Sequence, residues 1–303
     1  MTAKTLPTVL ALTALALAAS LAAPAVAAPK EGLASAARAK APKFVEDQAL
    51  IAAIGGAWRP AGEVARDKYR HPLESLTFWG LRPHMTVVDL QPGGGYWTQI
   101  LAPYAKATGG RYIAGVADLA NPAMTEAGKK GREAFAKKFT NEEIYGKVEL
   151  TNFGAKSAPF AEPGTVDIVI TSRELHNWAA GGLIDKIMGD SFAALKPGGF
   201  LAVEDHRADP RPEVPGLKDG YISIATVVAA AKKAGFVLDA TSEINANPKD
   251  TKDHPFGVWT LPPTRQSSGA PDNPAATDPK FDHAKYDAIG ESDRMTLRFR
   301  KPG

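Results

Sequence analysis

The chain has 303 residues, 44% hydrophobic and 23% charged, with a formal net charge of +3 and no cysteine. Such a composition suits one large globular α/β domain with appendages. The small net charge, without a block of lysines or arginines, argues against a nucleic-acid partner, and the lack of cysteine excludes disulfides, thiolate metal ligands, thiol catalysis and a lipoprotein anchor.

At the N-terminus, Lys4 precedes an Ala/Leu-rich run from Leu6 to Leu21, and Ala25-Val26-Ala27 has the small-x-small form of a cleavage site. These features predict a signal peptide over residues 1–27 and a secreted, periplasmic protein. An uncleaved anchor is the plain alternative, but Pro24 and its small neighbours favour cleavage. Nothing later is apolar enough to span a bilayer, so no stable membrane insertion is expected after cleavage. Residues 28–60 read as an N-terminal extension, Ala/Lys/Pro-rich up to Lys43 and then a short helix from Phe44 to Ile54.

A domain over residues 61–303 opens with two predicted helices, Ala61 to Tyr69 and Pro72 to Trp79, with Pro72 in a first turn. Thr86 to Leu90 then reads as a buried strand, followed by Gln91-Pro92-Gly93-Gly94-Gly95 and a helix starting near Thr98. Strand, glycine loop and helix open a nucleotide-binding α/β fold, because glycines let the backbone approach a ligand at a helix N-terminus. A tight turn by itself also uses such glycines. Asp89 at the strand end would repel a pyrophosphate yet suits an ammonium group, which favours S-adenosylmethionine over NAD. The glycine spacing also misses the dinucleotide fingerprint.

An acid followed by a glycine-rich turn resembles the first motif of the Rossmann-like (class I) S-adenosylmethionine-dependent methyltransferases, and the chain is similar to predicted exported bacterial members. It departs from them at Gln91, which stands where the family usually has its first glycine. A second strand, Tyr112 to Ala117, ends at Asp118, placed either to accept ribose hydroxyls or to cap the next helix. A basic helix is predicted from Ala123 to Phe139 and a third strand from Lys147 to Thr151, with Asn152 beyond it as a candidate for an adenine edge. Val166 to Thr171 makes the fourth strand, Leu183 to Leu195 a helix and Phe200 to Glu204 the fifth strand, after a Leu-Lys-Pro-Gly-Gly turn that again looks like this family. A helix from Tyr221 to Ala234, stopped by Gly235, and strands at Phe236–Ala240 and Met295–Phe299 complete the pattern. Alternating elements, read with the resemblance, imply a mostly parallel seven-stranded sheet with helices on both faces and an antiparallel last strand. A long loop over residues 247–293 is expected to act as a lid or to stay loose, with an exposed middle from Arg265 to Pro279.

Ligands of open parallel sheets sit outside the carboxyl ends of the strands. That rule gathers Asp89, Gly93, Gly94, Gly95, Asp118 and Asn152 for the cofactor. It gathers His176, Glu204, Trp97, Trp178, Asp205 and His206 towards a small-molecule acceptor. Methyl transfer needs a deprotonated acceptor in tight alignment, and a histidine beside a carboxylate supplies the base. His176 with Glu204 is the expected pair. The run Leu175-His176-Asn177-Trp178 resembles the Leu-His-Asp-Trp segment of histidine-base O-methyltransferases, with Asn177 replacing their aspartate. Each of these has a plainer reading: His176 as a helix cap or buried hydrogen-bonding group, His206 as part of a polar loop tip, Trp97 as core. A second reading takes Glu174, His176, Asp205 and His206 as oxygen and nitrogen donors to one metal, but no His pair one helical turn apart supports it and no metal is assigned. Arg66, Arg70 and His71 are expected to pair at the surface or to close over the cofactor, and Glu291, Ser292 and Arg294 to reach in from the loop. The sequence is therefore read as a small-molecule methyltransferase using S-adenosylmethionine. A non-catalytic periplasmic ligand-binding protein on the same fold is the rival.

Overall fold

The computed structural model describes residues 47–122, 124–210, 214–269 and 278–303. The predicted signal peptide, the extension up to residue 46 and residues 270–277 of the long loop lie outside them. Strands β1 (Thr86–Leu90), β2 (Arg111–Ala117), β3 (Val148–Phe153), β4 (Val166–Ser172), β5 (Leu195–His206), β6 (Val237–Ser242), β7 (Pro255–Val258) and β8 (Arg294–Arg300) follow in chain order. Seven of them form one sheet in the order β3-β2-β1-β4-β5-β8-β6. Neighbours from β3 to β5 are parallel, whereas β8 runs antiparallel to both β5 and β6. This is the Rossmann-like methyltransferase fold expected from the sequence.

Helices α1 (Gln48–Ile54), α2 (Ala61–Val64), α3 (Asp67–Arg70), α4 (Pro72–Trp79) and α5 (Thr98–Thr108) precede or flank β1 and β2. The single helix expected from Ala61 to Tyr69 is thus two short pieces. Asp67 explains the break: its carboxylate is held by Arg59 at 2.7 Å and by the Tyr96 hydroxyl at 2.6 Å, tying the second piece to the domain. Part of the stretch before residue 61 also packs with the domain, since Leu50 and Ala53 of α1 join the core formed by α4 and α5. Further along come α6 (Glu126–Lys138), α7 (Glu142–Tyr145), α8 (Leu175–Ala180), α9 (Ile184–Ala194), α10 (Ile224–Lys233) and α11 (Ala284–Ile289). The last of these, with β7, gives the long loop regular structure of its own. No helix among the described residues is long and apolar enough to cross a membrane.

Strand alternation sorts the core into two layers. Val88, Leu90, Val169, Leu201 and Val203 face α9 and α10, while Val87, Ile168, Ile170 and Ala202 face α1, α4 and α5. The same alternation sends Asp89 to the α5 side, where Tyr112 donates to it at 2.9 Å. It also sends the adjacent acids Glu204 and Asp205 to opposite faces, and this decides how the site is wired.

Candidate active site

From β1 the connections run outwards to β2 and β3 on one side, and β4 and β5 lie on the other. The topological switch point is therefore the crevice outside β1 and β4. A cavity of about 230 Å³ lies there. Its floor includes Asp89 in β1, Gln91 and Gly93–Gly94 after it, and Arg173, Glu174 and His176 after β4. Arg66 and Arg70 close one side, and Trp259 with Glu291 and Ser292 of the long loop closes another. Both strand ends turn through the left-handed region, at Gln91 (φ 53°) and Arg173 (φ 62°). Non-glycine residues held there store about 1–3 kcal/mol each, a strain found mostly at functional sites.

The three glycines have different jobs. A Cβ at Gly93 or Gly94 would meet open space, so the bare backbone borders the cavity. At Gly95 (φ 84°) a Cβ would stand 2.3 Å from the Phe139 ring, so this glycine serves packing. Gln91, in the place of the family's first glycine, donates to Glu174 at 2.7 Å and accepts from Trp178 Nε1 at 3.1 Å.

The base pair drawn from the sequence is corrected by the structure. Nδ1 of His176 lies 2.8 Å from Asp205 Oδ1, and the His176 backbone N–H donates to Oδ2 at 3.0 Å. Glu204, on the other face, accepts from Ser172 at 2.5 Å and pairs with Arg294 at 2.6 Å. It follows β5's alternation away from α8, so it cannot reach the imidazole. His176 is buried, lines the cavity and leaves Nε2 without a hydrogen-bond partner among the described residues. Burial opposes the imidazolium form, but the charge and hydrogen bond of Asp205 outweigh it and hold His176 above the usual histidine range. Asp89, also buried, is pushed up to about 7 by burial against the opposing Tyr112 hydrogen bond and Arg70 charge. Glu174 is pushed up to about 7 as well, again chiefly by burial.

His206 lines the cavity, its Nδ1 lying 2.5 Å from the Ser292 hydroxyl. Burial, then the charges of His176, Arg173, Arg294 and Arg70, hold it well below the usual histidine range. One donor atom each from His176, Asp205 and His206 lies within 4.8 Å of the others. The Asp205 carboxylate, however, is already engaged by three N–H groups, including the His206 backbone at 2.7 Å. The surrounding arginines add a field that disfavours a cation.

Trp97 lines the cavity edge-on to Tyr96, with ring centroids 5.0 Å apart. Trp178 does not: it packs on Phe153 behind Gln91, which makes it a prop rather than a wall. Nor do Asp118 and Asn152 border the cavity. Asp118 accepts from the Ala120 N–H at 2.9 Å, closing a turn, and Asn152 lies within β3 and accepts from Arg132 at 2.8 Å. His71 also stays outside, whereas Arg70 is buried, its guanidinium 4.2 Å above the Tyr96 ring. Sequence reasoning missed Arg173 and Trp259. Arg173 sits at the carboxyl end of β4, the position the switch-point rule marks, whereas Trp259 comes from a loop that no rule places.

No protein-family model and no curated protein matches the chain. Among solved structures, it resembles the [4+2]-cyclase SpnF at 14% identity, covering 82% of this chain and 83% of that one, with a TM-score of 0.50. It also resembles an S-adenosylmethionine-dependent methyltransferase from Aquifex aeolicus (22% identity, 63% and 91% covered, TM-score 0.45). A third likeness is CrArsM, an arsenic(III) S-adenosylmethionine methyltransferase from Chlamydomonas reinhardtii (16%, 84% and 73%, 0.45). At these identities the likeness concerns the fold. That one of the matched structures is named a cyclase underlines that a fold does not fix the reaction.

Proposed function

We propose that the protein is an S-adenosylmethionine-dependent methyltransferase acting on an oxygen or nitrogen of a small-molecule acceptor, exported by way of residues 1–27. The observation that carries this reading is the buried His176–Asp205 pair, whose free Nε2 belongs to the same cavity as Asp89 and the bare Gly93–Gly94 backbone. These residues fit the methionine end of the cofactor: Asp89 suits its ammonium, Arg70 its carboxylate, and the glycine backbone leaves room for both. Asp118 and Asn152 do not open onto this cavity, so no role is derived for them.

Bound there, the cofactor supplies an electrophilic methyl group on sulfur. His176 Nε2 would take the acceptor's proton in that transfer, with S-adenosylhomocysteine as the leaving group. Asp205 fixes the imidazole tautomer and stabilises the imidazolium, which makes it a positioning residue. General-base assistance of this kind is worth about 10²–10⁴ in rate. Trp97 and Trp259 line the same cavity and offer aromatic surface to a sulfonium or a flat acceptor.

Gln91 favours a second reading, a binding protein on the same fold. Its side chain spans the position where the family has only a hydrogen, and its two hydrogen bonds hold it there. Titration calorimetry of the secreted form with S-adenosylmethionine and S-adenosylhomocysteine separates the two. Saturable heat with both supports the enzyme; no heat at millimolar ligand removes it.

A further inference from the structure

Four guanidiniums gather around Glu291 at the edge of the cavity, and the carboxylates there do not serve them equally. Arg66 is paired with Glu63 at 2.9 Å and with Glu291 at 2.7 Å. Arg294 is paired with Glu204 at 2.6 Å and Glu291 at 3.0 Å, and it donates to the Tyr69 carbonyl at 2.6 Å. Arg70 lies 3.6 Å from Glu291, with its guanidinium over Tyr96. Arg173 is left over. Its guanidinium alone of the four makes no hydrogen bond among the described residues, whereas Arg70 donates to Ser172 at 3.4 Å; its one ion-pair partner is Glu291 at 4.0 Å, and its Nε, like those of Arg70 and Arg294, is buried without a partner among the described residues. A guanidinium carries five donors, and leaving them unmet in a cavity wall costs free energy that a planar anion recovers through paired N–H···O bonds. The backbone makes the same point, because Arg173 is held in the left-handed region at the end of β4. Burial, followed by the repulsion of Arg70, outweighs the attraction of Glu291 and pushes its pKa down to about 9.

We propose that Arg173 is an anion-recognition residue, and that the molecule methylated here carries a carboxylate or phosphate that docks on its guanidinium beside His176. This rests on the methyltransferase reading for its final clause only. Arg173 and His176 are three positions apart, and both line the same cavity. An acid group anchored on the guanidinium would hold a nucleophilic atom elsewhere on the molecule near Nε2. The cation reading of the nearby His176–Asp205–His206 trio is disfavoured by the same arginines.

The test uses the secreted protein labelled with ¹⁵N-arginine, with the Arg173 Nε–H signal assigned by its loss in Arg173→Gln. Titrations with sodium acetate, inorganic phosphate and the neutral isostere acetamide are followed at that signal. The expected result is a saturable shift with acetate or phosphate and none with acetamide. Arg173→Lys should retain weaker acetate binding, detected as heat, while Arg173→Gln loses it. Absence of a saturable shift with either anion overturns the proposal. S-adenosylhomocysteine is then added. If it alone abolishes the acetate response and binds at least tenfold more weakly to Arg173→Gln, its own carboxylate occupies Arg173 and the assignment to the acceptor falls. If it fails to bind at all while acetate still shifts the signal, the methyltransferase reading falls and the anion site stands.

Discussion

Asp205→Asn is the sharpest perturbation of the candidate site. Oδ1 of Asp205 takes hydrogen bonds from His176 Nδ1 (2.8 Å) and the His206 backbone (2.7 Å), and Oδ2 from the His176 backbone (3.0 Å). An asparagine keeps one oxygen and turns an NH₂ towards the remaining donor. If the oxygen keeps the first two bonds, the His176 backbone N–H faces another donor. If the amide flips, the imidazole is driven into the wrong tautomer. One buried N–H left unmet costs about 1–3 kcal/mol, a Tm decrease of about 2–10 °C for a domain of this size. Removal of the carboxylate also removes what holds the His176 pKa up, leaving burial to push it below the usual range. The assay is an NMR titration of the His176 ring in both proteins, which needs no acceptor, alongside S-adenosylhomocysteine titration. The midpoint should fall in the variant while cofactor affinity stays within about twofold, and once an acceptor is known turnover should fall by about 10²–10⁴. Linkage gives a further check. Because the folded pKa of His176 is raised, its pairing with Asp205 stabilises the fold fully below the unfolded value, and that contribution is lost as pH rises through the folded one. An unchanged His176 midpoint in Asp205→Asn would refute the pairing.

Three other outcomes are expected. Asp89→Asn should weaken S-adenosylhomocysteine at least tenfold yet raise stability at neutral pH. The folded pKa near 7 stands above the unfolded 3.8, so the native state binds the extra proton and ionisation costs stability as pH rises from about 4 to 7, on the order of 4 kcal/mol at about 1.36 per unit; chemical denaturation at pH 5 and pH 8 measures it, and loss of stability at pH 8 would count against the buried carboxylate. Gly95→Ala should destabilise by about 2–4 kcal/mol through the Phe139 clash and its left-handed backbone, whereas Gly94→Ala should stay within about 1 kcal/mol of the parent and lose ligand affinity; equal melting curves for the two variants would contradict this division of roles. Gln91→Gly relieves a left-handed backbone and clears the cavity floor, so cofactor affinity should rise in calorimetry if the enzyme reading holds, and an unchanged or lower affinity favours the binding protein.

The periodic part of the chain could be read in advance. Val87, Val88 and Leu90, the run from Val166 to Thr171 and the glycines after β1 mark strands and a turn because burial on both faces and a side-chain-free backbone leave a local signature. His176 and Asp89 could be nominated for the same reason, since chemistry in this architecture collects where parallel strands end. Local pattern could not settle which of two adjacent acids meets the histidine. Glu204 and Asp205 differ by one step in a period of two, and only the packing of α8 against the Leu201 and Val203 face selects Asp205. Nor could it reveal that Arg70 is buried, that Trp259 returns from a distant loop, or that Arg173 alone among four arginines makes no side-chain hydrogen bond among the described residues. Those facts depend on contacts between residues up to some 225 positions apart, such as the Arg66–Glu291 pair, and long-range contacts of that kind leave no periodic trace in a sequence.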